Sequence, residues 1–412
     1  MENFNEMLEK YAELIVKVGL NLQKGQRLHI SADTNTAELT HQVAAKAYQN
    51  GCPLVTVLWG DEDLRKIRHQ YAPRDSFEEF PAWVTDGQMR DAKRGDAYLS
   101  ITGRDPELLA GQDPDLVALE LKTIAKHFKP VSEYVTNGAN QWTVVCPPTP
   151  KWAAKIFPDA APGEAEEKLW KTLFALCRLD NDDPVTVWRN HLEDLEKRQV
   201  YLTEKQIATI HFHGAGTDLK VGMPDNHIWK GGRSKTKGGV VYTPNIPTEE
   251  VFCMPHKYKV DGTVQSSKPL NYFGNLIDNF SITFSEGRVV DFKAEKGEDT
   301  LQKMLESDEG ASYLGEVALV PHKSPISESN LVFLNTLYDE NAACHVALGS
   351  AYKENIQGGT EMSDEEADAA GVNKSLIHVD FMIGSDQVDV DGIMPDGSVL
   401  PLIKNGDWAF NA

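Results

Sequence analysis

The sequence predicts an α/β amino-terminal domain with a largely parallel sheet over residues 1–200, followed by an α+β carboxy-terminal domain with mainly antiparallel sheet over residues 201–412. Three observations carry this. A chain of 412 residues exceeds one typical domain of roughly 100 to 200 residues. Strand and helix patterns alternate through the first half, as in crossover units with parallel strands. Beyond about residue 205, short alternating segments joined by Asp-Gly or Glu-Gly pairs take over, as in hairpins.

The elements follow in order. The opening stretch places Met7, Leu8, Tyr11, Leu14, Ile15 and Val18 at helical spacing. "QRLHISAD" reads as a strand, "TAELTHQVAAKAYQNG" as an amphipathic helix ended by glycine, and "CPLVTVLWGD" as a second buried strand. "DAYLSITGRD" is a strand running into a loop, "PDLVALELKTIAKHFKPVSEYV" is helical, and "QWTVVCPPTP" is a strand stopped by prolines. The charged stretch from Pro162 to Lys205 has helical period, broken by the turn signal "DNDDP". "IATIHFHGAGTDLKVGM", "HKYKVDGTVQSSKPL", "DNFSITFSEGRVVDFKAEKG" and the stretch from Leu376 to Phe410 then read as strands.

With 41% apolar and 25% charged residues, each domain can bury a core without staples. A formal charge of −21 argues against nucleic acid as a partner, because phosphate binding draws on clustered lysine and arginine. The runs "KGGRSKTKGG" and "DAKRG" are short, glycine-laced and read as solvated turns. Five cysteines with no CxxC pair fit a reducing compartment. The acidic start lacks the basic and greasy parts of a signal peptide, and no stretch approaches the roughly 18 apolar residues of a membrane span. The expected location is therefore the cytoplasm, with no membrane partner.

The chemistry concentrates in the second half. In "SLIHVDFMIGS" the period of two puts His378 and Asp380 on one face of a strand, where they can reach one cation. Glu316 stands in the otherwise apolar strand "YLGEVALVP", a costly position unless the carboxylate is paired or metal-bound. In "NIPTEEVFCMP", Glu249 and Glu250 alternate, so only one of them belongs to any one site. "YDENAACHVALGSAY" reads as a helix rich in small residues, capped by Asp339 or Asn341, with His345 and Tyr352 along one stripe. That geometry sets Glu340 about 140° away from His345. Oxygen and nitrogen donors without cysteine suit zinc, cobalt, manganese or magnesium, and carboxylate-rich sets favour two ions bridged by one acid. Such a pair activates water, which is hydrolase chemistry.

The ordered motifs "NIPTEEVF", "YLGEVALVP", "DENAACHVALGSAY" and "IHVDFMIGS" resemble those of the M29 family of metalloaminopeptidases. "KYAELIVKVGLNLQKGQ", "DPELLAGQDP" and "GAGTDLKVGM" extend the resemblance over nearly the whole chain. The resemblance implies a cytoplasmic, homodimeric exopeptidase that releases N-terminal amino acids from peptides with a free N-terminus, using water activated by two divalent ions. It implies metal ligands at Glu250, Glu316, Glu340, His345, His378 and Asp380, with Glu316 as the bridge and a catalytic role for Tyr352 and Glu316. Glu249 is a candidate proton relay, although strand alternation turns it away. The donor set by itself equally serves another dinuclear hydrolase such as a phosphoesterase, and a non-enzymatic α/β binding protein is the third reading. "GAGTDLKVG" lacks the helix that a dinucleotide fingerprint needs, and "QVDVDG" lacks the glutamate of a calcium loop.

Overall fold

The computed structural model describes residues 3–272 and 274–412. It divides into two units, Met1–Asn190 with Arg233–Pro247, and His191–Gly232 with Thr248–Ala412.

The first unit is built on a five-stranded sheet in the order Val55–Gly60, Leu28–Asp33, Ala97–Ile101, Trp142–Val145 and Asn245–Ile246, every pair parallel. The strand at Leu28–Asp33 is buried at five of its six positions, as expected where helices cover both faces. Helix Ala37–Gln49 makes the first crossover, and the chain leaves it through Gly51 at φ 89°, which favours glycine. The long helix Pro114–Tyr134 starts on Pro114, with the Asp113 carboxylate accepting from the Asp115 and Leu116 amides. The sequence boundary near residue 200 differs from the observed division because Asn245–Ile246 pairs with Trp142–Val145, which returns residues 233–247 to the first unit. A two-residue strand has too little pattern to be read from sequence.

The second unit holds two antiparallel sheets. Nine strands form one, from Leu270–Tyr272 to Asp407–Trp408. Its hairpins at Ala215–Gly216, Glu286–Gly287 and Asn405–Gly406 have positive φ at both residues, as a two-residue loop demands. Not every Asp-Gly pair turns: Gly262 and Gly392 lie inside strands Val260–Gln265 and Asp389–Ile393. The other sheet has four strands, in the order Val251–Cys253, Leu314–Leu319, His345–Gly349 and His378–Met382. All five cysteines are buried and none is in a disulfide. Among the described residues no helix is long and apolar enough to cross a membrane.

Candidate metal centre

The four-stranded sheet has one apolar and one polar face. Residues directly opposite in an antiparallel pair share a face. Phe252 stands opposite Ala318, Ala318 opposite His345, and Glu316 opposite Ala347. Ala347 in turn faces Asp380, and Gly349 faces His378. Glu316, His345, His378 and Asp380 therefore rise from one side, with Ala318, Ala347 and Gly349 as the small residues among them. On the other side Val251, Cys253, Val317, Leu319, Val346, Leu348 and Phe381 are buried in the core.

This corrects the sequence reading of residues 338–352 as a helix. Helix is confined to Thr336–Asp339, a 3₁₀ turn follows at Glu340–Ala342, and His345–Gly349 is a strand. The Asp339 carboxylate accepts from the Phe333 and Asn335 amides, so it closes the preceding loop. The 3₁₀ turn removes the angular obstacle between Glu340 and His345.

Two groups of donors have ligand atoms within 4.8 Å of one another: Glu250, Glu316 and His345, and Glu316, His378 and Asp380. His345 Nε2 lies 3.1 Å from Glu250 Oε2 and 3.5 Å from Glu316 Oε1. His378 Nε2 lies 3.5 Å from Glu316 Oε2 and 3.4 Å from Asp380 Oδ1. Each oxygen of Glu316 thus faces a different histidine. Glu340, though buried, stands outside both groups, and its Oε1 accepts from Asn341 Nδ2 at 3.3 Å. Tyr352 is 43% exposed, with its ring 6.2 Å from Phe252 and 5.2 Å from His378, centre to centre. Glu249 is buried with Oε2 3.5 Å from His191 Nε2, outside both groups, and both it and Glu250 precede the strand Val251–Cys253.

Both imidazoles are oriented by backbone carbonyls. His345 Nδ1 is 3.1 Å from Ala343 O and His378 Nδ1 is 2.7 Å from Ser350 O, so Nδ1–H donates and Nε2 turns to the carboxylates. A bare lone pair facing carboxylate oxygens repels them unless a proton or a cation lies between. Glu250 Oε2, His345 Nε2 and Asp380 Oδ1 are buried without a well-formed hydrogen bond, and among the described residues no lysine or arginine pairs with these acids. Two ligands each about 2.1 Å from one tetrahedral ion stand about 3.4 Å apart, which is the spacing of these pairs. The donor set fits divalent metal.

Electrostatics point the same way. Burial pushes the Glu316 carboxyl up to about 7, opposed by the nearby His345 imidazole and reinforced by Asp380 and Glu250. Glu340 is held well above the carboxylate range, by burial first and then by Glu250 and Asp380. Burial draws the imidazoles down, yet Glu250 and Glu316 hold His345 well above its ordinary value, and Asp380 with Glu316 holds His378 at about 10. Burial alone would raise Asp380, but His378 keeps it low. Without a cation, this cluster must hold protons to limit its own repulsion.

Two contributors escaped the sequence reading. A register shift between Leu314 and Glu316 makes Gly315 a bulge, where a Cβ would lie 2.4 Å from the carbonyls of Gly349 and Ser350. A lone glycine in a strand pattern was the available signal. Asn341 is fully buried and hydrogen-bonded to the Glu249 amide, and only its helix-capping tendency was legible.

A family profile described as thermophilic metalloprotease (M29) matches residues 4–408. Aminopeptidase 2 of Geobacillus stearothermophilus is 46% identical over 410 residues, covering 100% of this chain and 99% of that one. Aminopeptidase AmpS of Bacillus subtilis (strain 168) is 45% identical over 410 residues, covering 100% of both chains. The solved structure of wild-type AmpT from Thermus thermophilus superimposes with a TM-score of 0.94 at 42% identity, covering 99% of this chain and 100% of that one.

Proposed function

Because the chain belongs to the M29 family and is a metal-dependent aminopeptidase, we propose that its centre holds two divalent ions bridged by Glu316. One ion is assigned to Glu250, Glu316 and His345, with Glu340 as a further ligand, and the other to Glu316, His378 and Asp380. The observation that carries this is the division of Glu316, with Oε1 toward His345 and Oε2 toward His378. Zinc, cobalt, manganese and magnesium all accept such donors. The readings left open by the residues alone, a phosphoesterase and a binding module, fall away with the family.

When bound, the ions supply Lewis acidity and a water made acidic enough to act as a nucleophile near neutral pH. The chain's own residues do the rest. The Ala343 and Ser350 carbonyls fix the two imidazoles, so no reorientation is needed at the moment of reaction. The acidic surround recognises the substrate's free α-amino group and limits cleavage to the first peptide bond. Tyr352, whose ring centre stands 5.2 Å from that of His378, donates its O–H to the carbonyl oxygen as negative charge develops there; a lost donor of this kind costs about 2.7 to 4 kcal/mol. The proposed setting is the cytoplasm, supported by five buried cysteines as thiols, and the proposed assembly is the homodimer that the family resemblance implies.

Metal analysis together with assays on amino-acid p-nitroanilides and their N-acetylated forms tests this. Two equivalents of metal per chain and cleavage only of substrates with a free amine are expected. A Glu316→Ala variant of normal activity would refute the bridge.

A further inference from the structure

Asn341 is buried with 0% exposure, and every polar group of its side chain is used. Its Oδ1 accepts from the Glu249 amide at 2.6 Å, across 92 residues of sequence. Its Nδ2 donates to Leu337 O at 3.0 Å and to Glu340 Oε1 at 3.3 Å. Its own carbonyl accepts from Ser324 Oγ at 3.0 Å. Only one orientation of the amide works, since the Glu249 N–H can only donate and Leu337 O can only accept.

We infer that Asn341 is a positioning residue for one of the two metal sites, joining the segment that carries Glu250 to the turn that carries Glu340. This rests on the dinuclear reading above. Glu250 precedes its short strand and Glu340 lies in a 3₁₀ turn, so neither is set by a long ladder. Glu316, His378 and Asp380 lie within paired strands, and none of the Asn341 side-chain hydrogen bonds reaches them. Losing the amide therefore loosens one group of ligands and spares the other. Aspartate is a poor substitute: it keeps an acceptor for the Glu249 amide but sets an oxygen against Glu340 Oε1 and Leu337 O. Partners that orient ligands typically contribute about 10- to 100-fold in metal affinity.

The test is calorimetric titration of the full-length, chelator-stripped protein with Zn²⁺ alone, for wild type, Asn341→Ala and Asn341→Asp, with thermal melts of the metal-free proteins alongside. The expected result is two binding steps in wild type, with one weakened about 10- to 100-fold in each variant and the other within about twofold. Both steps unchanged, or both weakened equally, overturns the inference and leaves Asn341 a purely structural residue. Fewer than two steps in wild type instead overturns the dinuclear reading, and this inference with it. Should Asn341→Ala not fold, the near-isosteric Asn341→Asp carries the same expectation.

Discussion

Glu316 Oε2 lies 3.5 Å from His378 Nε2, although their strands are not neighbours: the His345–Gly349 strand runs between them. The two side chains meet over that strand because it offers only Ala347 and Gly349 at the crossing. At Gly349, φ is +106° and a Cβ would lie 2.1 Å from Ile377 O, so no other residue fits there.

Ala347 is the position where this space can be closed by mutation. Ala347→Val adds two methyl groups between Glu316 and Asp380 and suits a strand, so the fold should persist at a cost of about 1 to 3 kcal/mol. Activity should fall about 10²-fold, because ligands displaced by an ångström no longer act together. Undiminished metal content and turnover would contradict the arrangement of the face.

Tyr352→Phe keeps the ring beside Phe252 and His378 and removes only the O–H. The expectation is a kcat lower by about 10² to 10³ with metal stoichiometry unaltered. A rise in KM at constant kcat would instead assign Tyr352 to substrate binding.

Removing metal should soften the protein as well as silence it. Four buried or nearly buried acids then share one site without a cation, whereas a ligand present at 100 times its Kd contributes about 2.7 kcal/mol to stability. Scanning calorimetry of chelated and reloaded protein should show a lower melting temperature after chelation, and identical transitions would count against a bound ion.

In the first unit, Glu120 predicts an acid limit. Arg65 donates to its Oε2 at 2.8 and 3.0 Å, and His69 Nε2 lies 3.0 Å from the same oxygen. Burial works to raise this carboxyl, but Arg65 and then His69 outweigh it and hold it below its ordinary 4.5. A depressed acid stabilises the fold above the unfolded-state value and loses that contribution as pH falls through the folded one. Glu120→Gln should lower stability at pH 7 by about 1.5 to 3 kcal/mol and flatten its decline below about pH 4.5. Parallel acid profiles for the two proteins, in urea melts, would show that the cluster contributes nothing.

The parts of the fold that sequence revealed are those with a long, regular pattern. The first βαβ unit reads plainly because two apolar strand runs flank a periodic helix, but the expectation that both are buried holds only for Leu28–Asp33: Val55–Gly60 lies at the sheet edge, paired on one side alone, and has no buried residue. His378 and Asp380 were placed on one face by alternation alone, and the face is the one observed. The stretch at 343–349 misled because Ala, Cys and Gly favour close packing in either state, and alanine carries a helix preference that tertiary context overrides. Those residues are small to leave room above the sheet, a reason that exists only between strands distant in sequence. Asn341 stayed hidden likewise, since its main partner is 92 residues away.

The bulge at Gly315 also constrains evolution of the chain. Leu314 pairs with Leu348 on the core side, while Glu316, only two residues on, pairs with Ala347 on the polar side. Ordinary alternation would send both the same way, so the supernumerary residue switches phase between them. Inserting or deleting one amino acid in this strand would swap carboxylate for hydrocarbon without changing any residue's identity. Natural variants should therefore tolerate conservative replacements along it more readily than any change in its length.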